Sequence, residues 1–216
     1  MDNRIRAMKI VPLLAAFSLT LSAQPEIDND WVRIERVTER PHEKTPLRDH
    51  LASVSVYLTD GRQRITGSDG EPREFPRGAG DAAFMNAGKR AEENLSDRAL
   101  QFVRIELKKP PANARFAPSP LDPVKLDPEH HIVLLENDRV RALRTILEPH
   151  LKAPMHEHPH YVVVYITELH TTMAMSDGRV IDNVRKPGEI AWRDTLKHAT
   201  ENIGDHTAIE IQVELK

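Results

Sequence analysis

Shifted by 108 residues, the chain matches itself without a gap. Residues 29–108 and 137–216 share 28 identities in 80 positions. The matches come in blocks. Asn29-Asp30 falls on Asn137-Asp138, Val32-Arg33 on Val140-Arg141, and Pro41-His42 on Pro149-His150. Val54, Val56 and Tyr57 fall on Val162, Val164 and Tyr165. Ser68-Asp69-Gly70 falls on Ser176-Asp177-Gly178, and Glu106-Leu107-Lys108 on the last three residues. A repeat of this size means one design used twice, so any architecture proposed for one half must suit the other.

Two domains are therefore expected, at 24–108 and 129–216. Between them, residues 109–128 carry Pro110, Pro111, Pro118, Pro120, Pro123 and Pro128. Few backbone donors and fixed φ values favour an extended, semi-rigid connector there. At the other end, Arg4, Arg6 and Lys9 precede an apolar run from Ile10 to Leu21, and Ala23 precedes a polar chain. This is the pattern of a signal peptide over 1–23, which implies a secreted or periplasmic protein. The apolar run is too short for a transmembrane helix. No membrane role is expected once it is removed.

Within each repeat the apolar period is two. Ile209, Ile211, Val213 and Leu215 alternate with Glu210, Gln212 and Glu214, which predicts a half-buried strand. Val162 to Ile166 reads as a more fully buried one. Ser176-Asp177-Gly178 and Lys186-Pro187-Gly188-Glu189 read as turns. Short strands punctuated by turns predict an all-β sandwich or barrel. The chain has no cysteine, which removes disulfides, zinc–thiolate sites and thiol catalysis. A formal charge of −3 with no long basic stretch removes the footprint of a nucleic-acid binder.

The chemistry concentrates in the second half, where nine of the eleven histidines lie at or after position 130. His156 and His158 flank Glu157 on an expected strand, so both rings point to one face. An antiparallel arrangement can return His198 to them. Three imidazoles suit a divalent transition ion and leave open coordination positions. His160 shares the parity of the pair; it is a candidate further ligand, a pocket residue, or a strand residue at the barrel mouth. Glu201 is a candidate acceptor for the second N–H of His198, or a surface residue. His130 and His131 have no partner nameable from sequence. His42 and His150 recur in both repeats, as do Asn94 and Asn202, which points to structural roles.

Pro154-Met155-His156-Glu157-His158-Pro159, then Pro187-Gly188 and His198-Ala199-Thr200-Glu201-Asn202, resemble the two motifs of the cupin superfamily. The resemblance covers 137–216 and, through the repeat, 29–108. It implies two tandem antiparallel barrels of the double-stranded β-helix, or jelly-roll, type. It also implies a metal, Fe, Ni, Mn or Zn, held by His156, His158 and His198. The sequence departs from the family where a Glu ligand is expected, since 162 and 163 are both Val. Three neutral ligands leave a divalent ion its full charge, which favours a small anionic partner. In the first repeat Arg48 and Arg90 stand where His156 and His198 stand in the second, and only His50 remains, opposite His158. Guanidiniums do not bind cations, so no metal is expected there; the arginines have two readings, an anion site and pairing with a neighbour such as Glu93, of which the second is the leading expectation. The family contains dioxygenases, isomerases and proteins without chemistry. The leading expectation is a dioxygenase-like, metal-dependent enzyme. The others are a non-catalytic ligand- or metal-binding module and a structural protein with a vestigial site. Packing the two similar barrels against each other, within one chain or between the chains of a homodimer, is one way to cover the sheet edges.

Overall fold

The computed structural model describes residues 25–110 and 119–216. The expected signal peptide and residues 111–118 of the connector lie outside them. The elements in the first half are β1 (Ile27–Asp28), β2 (Val32–Glu39), β3 (Arg48–His50), β4 (Ser53–Tyr57), β5 (Gly61–Gly67), β6 (Pro72–Arg77), β7 (Ala82–Met85), β8 (Gly88–Asn94) and β9 (Leu100–Leu107). After the single helical turn α1 (Pro123–Leu126) come β10 (His131–Glu136), β11 (Val140–Leu147), β12 (Lys152–His158), β13 (Tyr161–Tyr165) and β14 (Leu169–Met175). The last four are β15 (Val180–Arg185), β16 (Ile190–Arg193), β17 (Leu196–Asn202) and β18 (Ala208–Leu215).

These strands form four antiparallel sheets in two matching sets. β1-β2-β9-β4-β7 has the same order as β10-β11-β18-β13-β16, and β3-β8-β5-β6 the same as β12-β17-β14-β15. The register repeats as well. Arg48 pairs with Arg90, and His156, 108 positions on, pairs with His198. Turn chemistry explains several of the shared residues. His42 and His150 are the two non-glycine residues at positive φ among those described, 56° and 66°. Asn94 donates from its side-chain amide to the carbonyls of Glu39, Arg40 and Arg98; Asn202 does the same to Leu147, Glu148 and His206. Each amide thereby ties two carbonyls at the end of one strand to a third just before its partner strand, with its two N–H groups shared among the three.

The largest apolar core lies between the two five-stranded sheets. Its fully buried members are Val32, Ile34, Val54, Val56, Val103, Ile105 and Leu107, with Val140, Ala142, Val162, Val164, Ile211, Val213 and Leu215. Each residue of the first group stands 108 positions before one of the second. The contact is thus built from the same patch on both sides, like an isologous interface made within one chain. Polar contacts obey the same symmetry. Arg36 Nη2 donates to the Gly188 carbonyl at 2.7 Å, and Arg144 Nη2 to the Gly80 carbonyl at 3.2 Å.

Two expectations need correction. β18 is not half-buried: Ile211 and Val213 pack against the other half, while Glu210, Gln212 and Glu214 are buried on the opposite face. The period of two is right, but neither face meets solvent. The connector's last residues are also not merely extended. Asp122 caps α1 by accepting from Val124 N at 3.0 Å, and the Leu121 carbonyl accepts from Glu157 N at 2.9 Å. Residues 119–127 therefore fold onto β12.

Candidate metal centre

Four histidines from three strands meet on the inner face of the second half. His131 starts β10, His156 and His158 lie on β12, and His198 lies on the adjoining β17. All four are buried. One nitrogen from each of His131, His156 and His158 lies within 4.8 Å of the others. The His198 ring centroid is 4.5 Å from that of His156 and 5.6 Å from that of His158. The β12 alternation brings His156 and His158 inward together, and the cross-strand register places His198 directly opposite His156.

The outer nitrogens of three rings are already engaged. His131 Nδ1 lies 3.2 Å from the Asp127 carbonyl, His156 Nδ1 2.7 Å from the Pro154 carbonyl, and His158 Nδ1 2.8 Å from Glu214 Oε1. Each oxygen fixes its imidazole as the tautomer that donates from Nδ1, which leaves the lone pair of Nε2 facing the cluster. His158 Nε2 and His198 Nδ1 are buried with no hydrogen-bond partner. A buried imidazole nitrogen without a partner is costly, and a cation supplies what each lone pair lacks. The residues therefore fit a bound metal ion.

Electrostatics point the same way. Burial lowers the pKa of His131 to about 4 and of His198 to about 2, with neighbouring imidazoles adding to the effect. Burial likewise lowers His156, and holds His158 well below its usual value. The rings are thus neutral at neutral pH, the form in which imidazole ligates. Glu214 anchors the arrangement from behind: its Oε2 accepts from Arg141 Nε at 2.5 Å, and Arg141 Nη1 also donates to Asp122 at 3.0 Å. Asp127 and Asp122 both belong to the segment read as connector, so that segment helps orient the site.

The cluster borders a cavity of about 30 Å³. Thr145, Tyr161, Thr171, Asn183, Arg193, Glu210 and Gln212 contribute to its wall. Glu210 accepts from Gln212 Nε2 at 2.7 Å, and burial pushes its carboxyl up to about 7. Thr145 Oγ1 and Gln212 Oε1 are buried without partners.

Of the histidines singled out by spacing, His156 and His158 bring ligand nitrogens together with His131, while His198 adjoins them through its ring; the structure places His160 and Glu201 elsewhere. His160 is not part of the cluster. β12 ends at His158, so parity no longer governs position 160; its ring lies 4.7 Å from Trp31 and 5.8 Å from Trp192, between the two halves. Glu201 is no acceptor for His198. It pairs across strands with Lys152, and its carboxylate meets Lys152 Nζ at 3.1 Å on the outer face. The residues missed were His131, Glu214 and Glu210. The alternation of β18 was the available signal for the two acids, once its polar face is read as inward.

No protein-family model matches the chain, and no curated protein does. Solved structures do. AerE from Microcystis aeruginosa superposes with a TM-score of 0.64 at 10% identity, covering 87% of this chain and 88% of that one. Oxalate decarboxylase from Bacillus subtilis, in its structure at pH 4.6, gives 0.60 at 13% identity, over 86% and 68%. At such identities the likeness speaks to architecture alone, and the architecture these antiparallel sheets share with them is the cupin fold.

Proposed function

We propose that the protein is a bicupin whose second unit holds one divalent transition ion on His131, His156 and His158, with His198 as a further ligand, and acts on a small anion. The single observation that carries this reading is the convergence of those buried imidazoles with their Nδ1 atoms already fixed by oxygen acceptors. In this reading His131 supplies the ligand that the absent family Glu leaves open, since Val162 packs in the core between the halves. Iron, nickel and zinc suit an all-imidazole set, whereas manganese favours oxygen ligands. The oxalate decarboxylase of Bacillus subtilis has Mn(II) centres, which keeps manganese among the ions to try.

Bound there, the ion supplies a Lewis acid with open positions for an oxygen ligand. The protein's own groups do the rest. Glu214 and the carbonyls of Asp127 and Pro154 hold the rings in one tautomer. Arg193 lines the cavity and offers a counter-charge to an anionic substrate. Glu210, titrating near neutrality, holds or releases a proton at Oε2, the oxygen that Gln212 leaves free. Thr145 and Gln212 present unmatched oxygens to substrate hydrogens. A dioxygenase-like reaction on a small carboxylate or enolate suits this chemistry.

The size of the cavity supports a second reading. About 30 Å³ admits an ion and little more, which favours a module that binds metal without turnover. Elemental analysis of the purified protein, with His131→Ala, His156→Ala and His198→Ala variants, tests metal binding. One equivalent of metal, lost in the variants, is expected. No metal after incubation with Fe, Ni, Mn and Zn overturns both readings. Oxygen uptake by the loaded protein with a panel of small carboxylates then separates them. Secretion is part of the proposal through the N-terminal segment, and the protease-accessible compartment of an expressing cell tests it.

A further inference from the structure

In the first half the equivalent positions carry the opposite chemistry. Arg90 stands 108 residues before His198 and is buried like it. Its Nε donates to Glu92 Oε1 at 2.9 Å and its Nη2 to Ser53 Oγ at 3.3 Å. The partner is Glu92, not the expected Glu93, which pairs instead with Arg64 at 3.1 Å. The second oxygen of Glu92 accepts from the buried Arg104. One carboxylate thus faces two guanidiniums. The other buried acid nearby, Glu39, accepts from Gln63 and is pushed up to about 7 by burial, so it offsets the surplus only in part. His50, neutral because burial and then Arg90 lower it to about 4, adds no negative charge.

This surplus has unused donors. Arg90 Nη1 and Arg104 Nε are buried without a hydrogen-bond partner, as is His50 Nε2. A guanidinium N–H out of water with no acceptor is among the costlier defects a fold can carry. Arg90 also forms part of the wall of a cavity of about 370 Å³. The charged residues around that cavity are Arg73, Lys89, Arg90 and Asp69, and Asp69 is matched by Arg73 at 2.7 Å. Ile65, Phe75, Phe84 and Met85 supply its larger apolar side chains, and Ser68 and Asn86 also border it. A pocket of this volume, mostly apolar with a few polar groups, has the make-up of a small-molecule site.

We propose that this pocket binds a small organic anion, its carboxylate on Arg90 and its apolar body against Phe75, Phe84 and Met85. The two halves then use one strand framework for ligands of opposite sign, imidazoles for a cation and guanidiniums for a carboxylate. Nothing in this site depends on a metal.

Calorimetric titration of the chelator-treated protein with benzoate tests it, with benzamide as the uncharged isostere. Benzoate is expected to bind at one site per chain and benzamide to give no saturable heat. Met85→Trp fills the pocket while leaving every charged side chain in place and should abolish the signal. The paired change Arg90→Gln/Glu92→Gln removes the guanidinium assigned to the carboxylate while leaving the net charge of the network unchanged, on Arg104, and should weaken binding by about tenfold or more. A His156→Ala/His198→Ala variant should bind benzoate as the parent does. Absence of saturable benzoate binding, equal binding of benzamide, or undiminished binding in Met85→Trp overturns the proposal. So does loss of binding in the histidine variant, which would place the anion in the second half. Should the paired arginine variant fail to fold by circular dichroism, Met85→Trp alone decides.

Discussion

Glu214→Gln isolates the acid behind the proposed metal centre. Glu214 is fully buried, and its two oxygens hold His158 Nδ1 at 2.8 Å and Arg141 Nε at 2.5 Å. The amide keeps the volume, and its oxygen can still accept from one of these donors. It cannot accept from both, and it carries no charge to strengthen the basicity of His158. Removing an outer partner of a ligating histidine costs about 10–100-fold in metal affinity, or roughly 1.4–2.7 kcal/mol. Folding suffers too. Breaking a buried ion pair costs about 3–5 kcal/mol when the surviving charge is stranded. Arg141 is not stranded, because Asp122 remains 3.0 Å away, so a loss of about 1–3 kcal/mol is expected instead. Competition between the protein and a metallochromic chelator measures the affinity, and urea unfolding of the metal-free protein measures the stability. Glu106→Gln at the equivalent position of the first half is the control, since Arg33, which stands 108 positions before Arg141, pairs with Asp28 instead. A folded Glu214→Gln protein whose metal affinity stays within about twofold of the parent's would refute the reasoning, because the site would then not rely on the His158–Glu214 contact.

His131→Ala should remove bound metal as effectively as His156→Ala, whereas His160→Ala should leave it unchanged by elemental analysis; its ring packs between Trp31 and Trp192. Ile105→Ala and Ile211→Ala, two members of the shared core from opposite halves, should each cost about 2–5 kcal/mol in urea, within a single transition. Two separated transitions would show that the halves unfold independently. Acid should destabilise the metal-free protein. Histidines 50, 131, 156, 158 and 198 all have folded pKa values below the usual one, so the unfolded chain binds more protons and stability falls as pH drops from about 6.5 towards 4. Glu39 and Glu210, raised to about 7, and Glu214, also raised by burial, act in the opposite sense over nearly the same range, but they are three against five. A melting temperature higher at pH 5 than at pH 7 would contradict this balance.

The fold was legible because the repeat doubled every local signal. A turn at Ser176-Asp177-Gly178 gains weight when Ser68-Asp69-Gly70 says the same, and glycines 70 and 178 indeed share positive φ. The pair His156 and His158 was legible because strand parity is local. His131 was not, because its approach depends on α1 and on Asp127, whose carbonyl takes His131 Nδ1. His160 misled because a strand parity holds only while the strand lasts, and Pro159 ends it. Glu210 and Glu214 were hidden by a reasonable assumption, that the polar face of an alternating strand meets water.

That assumption fails for a reason rooted in the repeat itself. A lone sheet that turned Ile211 and Val213 to solvent would expose an apolar face, and one that buried them inside would have to turn Glu210 and Glu214 outwards. The duplicated chain escapes this choice. Its second copy supplies a matching apolar face, so the valines and isoleucines of both halves bury one another between the sheets. The inner faces are then released from providing the main core. They can hold imidazoles, carboxylates and guanidiniums that would otherwise compete with apolar packing for the same space. Each polar interior remains tolerable only where its groups are matched, as Glu214 is by Arg141 and Glu92 by Arg90 and Arg104. The nitrogens left over, His158 Nε2 in one half and Arg90 Nη1 in the other, are therefore the atoms most in need of a ligand. They differ in sign because the residues on one shared framework differ, which ties the chemistry of each half to side chains and not to the fold.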